Sequence, residues 1–341
     1  MGVTIKQIAE MAGVHRSTVD KVLHHRPGVS DEVRQKIQRI IDEYNYEVNP
    51  IGKALKMQDK KLRIAVLLLQ VDALSYIKSG IEKKMEEYRS FQIELIYHVI
   101  AYSDVKLQKE LLEKYKEEKV NGILLSPIND KRIVEEIDCC TEAGIPVVTV
   151  NSDIKGSKRF CFIGQDGYKA GKVAARFMGE FLNGKGTIAV ITSDSDEHQS
   201  FPFGTREGGF CETISENYPE IKILSSVSTK ENPEIMKQEM KKLLENETQL
   251  DGILITCGCV QAAGEELKAS KRQEIRLICY EDYPEIQNLM KEDIVTVTLG
   301  SGLIEQGSKS IEVLLDKLIY EKNPEKKHLY SEIHVLVKES L

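Results

Sequence analysis

Five polar residues near the N-terminus have the types and spacing to read a duplex: His15, Arg16, Ser17, Thr18 and Lys21. All can donate hydrogen bonds to base edges or phosphates. To do so they must project from one rigid element, and the flanking residues supply it. Thr4 followed by Gln7 makes a capping box, so a helix is expected from Ile5, with Ile5, Ile8 and Ala9 on one face. Ala12-Gly13 ends that helix, because Gly tolerates the positive φ of a tight turn. A second helix then turns Val19, Val22 and Leu23 inward and leaves the polar set outward. Two short helices joined by a Gly turn form a helix-turn-helix, whose second helix enters the major groove. Spacing alone leaves a DNA reader and an ordinary helical hairpin equally open.

Charge constrains the choice. The chain has 341 residues and a formal net charge of −7, so contact with nucleic acid must be local. Its first 60 residues hold 10 Lys+Arg against 8 Asp+Glu, about +2, which leaves about −9 for the remainder. The seven cysteines include the adjacent pair Cys139-Cys140 and the closely spaced Cys257 and Cys259, a poor zinc spacing. They read as reduced core thiols, and no metal or cofactor is expected. No apolar run reaches membrane-spanning length and Met1 leads into a polar helix, so a cytoplasmic protein without a signal peptide is expected.

A third helix is expected from Ser30, a good N-cap followed by Asp31 and Glu32, with Val33, Ile37, Ile40, Ile41 and Tyr44 as its apolar stripe. After Pro50, Ile51–Met57 is a short segment of helical potential, too short to be stable alone. From Leu62 the texture changes to apolar runs alternating with amphipathic stretches. The runs are Leu62–Leu69, Phe91–Tyr97, Gly122–Leu125, Pro146–Val150, Phe160–Ile163, Thr187–Ile191, Ile221–Val227, Gly252–Ile255, Ile275–Cys279 and Ile294–Thr298. Continuous apolar strands separated by helices mean βαβ units and a parallel sheet, and about ten strands is many for one sheet. Val120–Ser126 (VNGILLS) is echoed by Leu250–Thr256 (LDGILIT), as expected of two similar lobes. Two doubly wound lobes enclose a cleft at the carboxyl ends of their strands. Gln70, Asp72 and Ser126 stand at such ends, as candidates to face it.

Enzymatic signatures do not emerge. The chain has no Gly-x-Gly-x-x-Gly after a strand, no P-loop lysine, no Gly-x-Ser-x-Gly and no His-Glu-x-x-His. His98, His198, His328 and His334 have no nucleophile nearby in sequence, and Asp194, Asp196 and Glu197 read as a solvated acidic loop. No catalytic residue is assigned.

Val3–Val22, with Val29-Ser30, Glu43-Tyr44-Asn45-Tyr46 and Asn49-Pro50 in register, resembles the lactose-repressor (LacI/GalR) family of bacterial transcription regulators. The resemblance covers essentially the whole chain. The core is similar to the periplasmic sugar-binding-protein fold, with Asn151-Ser152-Asp153, Gly164-Gln165-Asp166, Arg206–Phe210 and Gln306-Gly307 at its landmarks. The resemblance implies base reading by Arg16, Ser17 and Lys21, phosphate contacts by His15, Thr18 and Arg26, and a minor-groove wedge at Leu55 in a hinge helix. Thr4 is grouped with these DNA-binding residues. Two departures stand out: Asp20 where a small hydroxyl residue is common, and Gly52, which costs ~1 kcal/mol inside a hinge helix.

The pocket departs further from the sugar-binding pattern. Ala73-Leu74 replaces a Phe pair, Gly258-Cys259 an Asn-Asp, Glu281 an Asp and Ser301 a Gln. Arg206, Asn151 and Asp153 are retained, and Arg206 is a planar fork suited to vicinal hydroxyls or a carboxylate. Asp166 opens a helix and could cap it or bind a ligand. Without Trp, ring stacking falls to another aromatic, with Phe203 the candidate. The effector candidates are thus Gln70, Asp72, Ser126, Asn151, Asp153, Phe203, Arg206, Glu281 and Ser301.

The expected fold is α/β: an all-α helix-turn-helix domain, then two doubly wound parallel-sheet lobes with a cleft between them. The expected divisions are residues 1–48, a hinge and linker over 49–61, and a core over 62–341. Within the core, one lobe is expected at about 62–160 plus 292–322 and the other at about 161–291 plus 323–341. The expected protein is a ligand-responsive regulator, a repressor binding a near-palindromic operator as a homodimer, with a sugar or related small polar effector. A core that senses a protein partner is the alternative. A tetramer is not expected, because the chain ends without a heptad tail.

Overall fold

The computed structural model describes residues 3, 5–23, 27–44, 60–193 and 201–341, the side chains of 201–203 excepted. Thr4, Arg26, Leu55, the hinge segment and the acidic loop at 194–197 lie outside the described residues, as does the Phe203 side chain. The chain divides into two units, Met1–Lys56 and Met57–Leu341.

The first unit packs α1 (Ile5–Ala12), α2 (Arg16–Leu23) and α3 (Asp31–Glu43) around Ile8, Ala9, Ala12, Val19, Val22 and Ile37. Gly13 takes φ +68°, donating to the Glu10 carbonyl, while Val14 donates to the Ala9 carbonyl. That pair of bonds is the Schellman closure, which is why the turn needs Gly. The His15 imidazole stands at the head of α2, where Nδ1 accepts the Ser17 amide at 3.3 Å and lies 2.8 Å from the Ser17 hydroxyl. Ser30 precedes α3 in extended conformation but its side chain makes no cap bond. Asp31 and Glu32 favour that helix start through its positive end.

The second unit holds two sheets. Strands β1 (Leu62–Leu69), β2 (Ile93–Ile100), β3 (Gly122–Leu125), β4 (Val147–Val150), β5 (Cys161–Gln165) and β12 (His328–Ser331) form a six-stranded sheet in the order β2-β1-β3-β4-β5-β12, all parallel. Strands β6 (Lys185–Thr192), β7 (Glu220–Ile223), β9 (Gly252–Ile255), β10 (Arg276–Tyr280), β11 (Val297–Gly300) and β13 (His334–Leu336) follow the order β7-β6-β9-β10-β11-β13, with β8 (Val227–Ser228) also on β6. Only β13 pairs antiparallel among the described strands. The echoed segments are β3 and β9, which hold the same place beside β1 and β6.

The connecting helices are α4 (Leu74–Met85), α5 (Val105–Glu117), α6 (Lys131–Glu142), α7 (Gly167–Phe181), α8 (Phe201–Asn217), α9 (Pro233–Asn246), α10 (Val260–Ser270), α11 (Pro284–Lys291) and α12 (Leu303–Tyr320). Asp166 caps α7, its carboxylate accepting the Lys169 amide at 3.1 Å. Helix α12 packs on α4 and on β3–β5, and α7 packs on α8. Each of these pairs is as close as backbones allow. A Cβ at Gly80 would lie 2.0 Å from the Ile304 carbonyl oxygen, and one at Gly171 2.0 Å from that of Arg206.

The lobe limits differ from those expected. β5 pairs with β4, so the first lobe's sheet runs to Gln165 and the chain changes lobes there rather than at 160. β11 pairs with β10, so the second lobe's sheet runs to Gly300 before α12 returns to the first. β12 belongs to the first sheet and β13 to the second, which sets the last change between Ser331 and His334. Apolar patterning marks where strands lie. Which sheet accepts a strand near a crossing is decided by hydrogen-bond pairing.

Candidate functional site

A cavity of about 290 Å³ opens between the lobes at the carboxyl ends of the strands. Its wall includes Asp72 after β1, Asn151 after β4, Glu231 after β8, Gly258 after β9, Tyr280 and Glu281 at the end of β10, and Arg206 on α8. Residues after strand ends that take left-handed backbone include Asn151 (φ +65°), Glu231 (φ +52°), Cys259 (φ +61°) and Glu281 (φ +73°). Asn tolerates this region, whereas Glu and Cys pay of order 1 kcal/mol or more there. Such strain clusters at ligand sites, where surrounding structure holds it in place.

Arg206 is the centre of the cavity floor and is 5% exposed. Its Nε and Nη2 donate to Gln165 Oε1 at 3.2 and 2.9 Å, Nη1 to the Thr256 carbonyl at 3.0 Å, and Nη2 to Glu281 Oε1 at 2.9 Å. Its guanidinium carbon sits 3.9 Å from the centroid of the Tyr280 ring. Glu281 Oε2 accepts the Ser301 hydroxyl at 2.6 Å. The fork therefore holds the site together while lining the cavity.

Contacts across the cleft join the lobes. Asp72 Oδ2 accepts the Cys259 amide at 3.0 Å. Tyr76 on α4 stacks on Tyr283 before α11, with centroids 4.8 Å apart and planes 23° apart. Within the second lobe, Glu231 Oε1 accepts the Gly258 amide at 3.0 Å. A Cβ at Gly258 would lie 2.5 Å from Glu231 Oε2 and 3.1 Å from Asp72 Oδ2. The two carboxylates, one from each lobe, thus converge on one point, inside the ~4–6 Å over which like charges perturb each other.

Burial first, and then the charge of Asp72, push Glu231 above the ordinary carboxylate range. Burial raises the Cys257 thiol, and that of Cys259 to about 12, so both stay protonated and neither is a ready nucleophile or metal ligand. All seven cysteines are free; five are buried, Cys211 is half-buried and Cys139 is exposed. The raised Glu231 value fixes a sign. The folded form binds its proton more tightly than the unfolded chain, so the group's contribution is full below the ordinary Glu range and is lost as pH rises through the folded value. Glu231→Gln, neutral throughout, is expected to gain stability relative to wild type as pH rises above the ordinary Glu range. Urea denaturation at several pH values checks this; a difference independent of pH would refute it.

Four of the effector candidates line the cavity: Asp72, Asn151, Arg206 and Glu281. Four do not. Gln70 is exposed outside its wall. The Ser126 hydroxyl donates to the Val150 carbonyl at 3.1 Å, tying β3 to β4. Asp153, 1% exposed, is ion-paired with Arg159 and accepts the Thr149 hydroxyl at 2.9 Å. Ser301 is fully buried behind Glu281. Tyr76, Glu231, Tyr280 and Tyr283 were not anticipated. In sequence they sit on a first helical turn, in a turn, at a strand end and before Pro284, with no motif to mark them.

In the first unit His15, Arg16, Ser17 and Lys21 are exposed, Thr18 is half-buried, and a Cβ at Gly28 would lie 3.5 Å from the Lys21 ammonium.

Residues 4–49 match the bacterial regulatory proteins of the lacI family, and residues 66–322 match the periplasmic binding protein domain. The chain belongs to the periplasmic binding protein domain family over its core and carries a lacI-family regulatory segment at its N-terminus. Its relatives include the ribose operon repressor of Haemophilus influenzae, 28% identical over 149 residues, 43% of each chain. The sucrose operon repressor of Streptococcus mutans is 22% identical over 332 residues, 94% of each chain. The chain spans about half the length, or less, of most of the curated relatives it matches. The second unit has the fold of a glucose-galactose binding protein from Geobacillus stearothermophilus, with a TM-score of 0.75 at 20% identity over 83% of this chain and 99% of that one. Among the described residues no helix is long and apolar enough to cross a membrane.

Proposed function

We propose that this lacI-family chain is a ligand-responsive transcriptional repressor that binds operator DNA through α2 and a small polar effector in the interlobe cavity. The observation that carries the reading is the polar cavity at the strand ends, walled by residues of both lobes, in a chain that also bears an exposed helix-turn-helix. A homodimer sets two α2 helices in successive major grooves of a near-palindromic site, about one turn (~34 Å) apart. Effector binding and DNA binding are coupled reciprocally, by ~1–3 kcal/mol. The protein works in the cytoplasm, as DNA binding requires, and turns over no substrate. A cavity of this polarity favours a small molecule over a protein partner as the signal.

In this reading Arg16, Ser17 and Lys21 meet base edges while His15 and Thr18 position the helix, with Thr4, Arg26 and Leu55 as further contacts. Arg16→Ala and Lys21→Ala are each expected to weaken binding to a selected operator about tenfold or more, from the ~1–3 kcal/mol of a base contact. Both side chains are exposed, so melting should not change. Fluorescence anisotropy on labelled duplex checks this; affinities equal to wild type would overturn the assignment.

A further inference from the structure

The charge of the cavity narrows the effector, given the effector-cleft reading above. Its wall carries four carboxylates, Asp72, Glu231, Glu281 and Glu285, against the single guanidinium of Arg206. That guanidinium already pairs with Glu281 and donates to Gln165 and Thr256. No cation among the described residues lies within ion-pair distance of Asp72, Glu231 or Glu285. An anionic ligand would therefore enter a field of like sign with no free positive partner. A neutral sugar would leave Asp72, and Glu231 once ionised, without a cationic partner.

Asp72 and Glu231 come from opposite lobes and meet over Gly258, whose missing side chain leaves the gap between them. A second, independent feature points to an occupant. Tyr280 lines the same cavity at 1% exposure, and its hydroxyl has no hydrogen-bond partner among the described residues. A buried hydroxyl left without a partner costs ~1–3 kcal/mol, which a ligand hydroxyl would recover. Among the described residues no three carboxylate, thiol or imidazole groups are arranged to hold a metal ion. An ammonium group needs fewer and less regular acceptors, and two carboxylates supply them.

We infer that the effector is a polyhydroxylated amine, of the amino-sugar or amino-cyclitol class, whose ammonium bridges Asp72 and Glu231 while a hydroxyl meets Tyr280. The bridge joins one group from each lobe. Bound amine thereby favours the closed cleft, by drawing Asp72 and the ionised form of Glu231 onto one ammonium.

The test is calorimetric titration of the full chain with D-glucosamine, D-galactosamine, D-mannosamine and scyllo-inosamine, each beside its neutral hydroxyl counterpart. At least one amine is expected to bind tenfold or more tightly than its counterpart. Asp72→Asn and Glu231→Gln should each remove most of that preference. Both variants should melt no lower than wild type without ligand, since each keeps an acceptor for its backbone amide. Neutral sugars binding as tightly as every amine, with DNA binding still responding to them, would overturn this inference and leave the effector-cleft reading intact. A preference for amines that survives both substitutions would also overturn it. If neither set binds or alters DNA binding, the effector-cleft reading falls, and this inference with it.

Discussion

Arg206→Ala is expected to cost about 3–5 kcal/mol of folding stability and to abolish effector binding. The magnitude follows from what is stranded. Glu281 keeps the Ser301 hydroxyl but loses its only described cationic partner while 8% exposed. Gln165 Oε1 and the Thr256 carbonyl lose their donors from Arg206, and the Tyr280 ring loses the cation 3.9 Å from its centroid. Breaking a buried pair from one side leaves an uncompensated charge, which is far costlier than removing both partners. Arg206→Lys should recover little, because an ammonium is a point charge and cannot reach acceptors on three sides as the planar fork does. The double replacement Arg206→Met with Glu281→Met should recover most of the stability and none of the binding. Urea denaturation and calorimetric titration with D-glucose and D-glucosamine separate the two effects. A single variant within 1 kcal/mol of wild type would show that the pair is not the support proposed here.

That support was only partly legible in the amino-acid pattern. Arg206 and Glu281 read as site residues and both line the cavity, but their pairing is not visible, because sequence gives a residue's type and approximate position without its partners. Ser126 and Asp72 both follow apolar strands and look alike in sequence. One hydroxyl is spent on the Val150 carbonyl, while the other carboxylate meets the opposite lobe. Glu231 follows Lys230 in a turn where both residues take left-handed backbone, φ +53° and +52°, and neither residue type signals it. Strands such as Ile123–Leu125 were plain because both faces are buried and the apolar run is continuous. His328–Ser331 and His334–Leu336 escaped because they are partly exposed edge strands with polar residues interleaved. Their pairing depends on the neighbouring strand more than on their own side chains.

Gly171→Ala is expected to destabilise the second unit by about 3 kcal/mol, the upper part of the usual overpacking range. Its new Cβ would lie 2.0 Å from the Arg206 carbonyl oxygen and 2.9 Å from the Phe210 amide nitrogen. Both are backbone atoms of α8, so no rotamer change relieves the clash and the helix must shift. The reciprocal contact is equally tight, since a Cβ at Gly209 would lie 2.1 Å from the Tyr168 carbonyl oxygen. The first lobe repeats the device: a Cβ at Gly307 would lie 2.1 Å from the Ile77 carbonyl oxygen, and Gly307→Ala should carry a similar penalty. Gly208 is the internal control. It lies on the same helix as Gly209, and a Cβ there meets nothing within 4 Å. Gly208→Ala should therefore be neutral or stabilising by up to ~1 kcal/mol, the helix propensity difference. The two kinds of Gly also separate in function. Shifting α8 moves Arg206 against Gln165 on the other lobe, so Gly171→Ala should weaken effector binding even where the protein remains folded, while Gly208→Ala should leave it unchanged. Urea denaturation of the three variants with the same titrations decides the matter, and a Gly171→Ala protein as stable as Gly208→Ala would rule out close helix packing as the reason for Gly at 171.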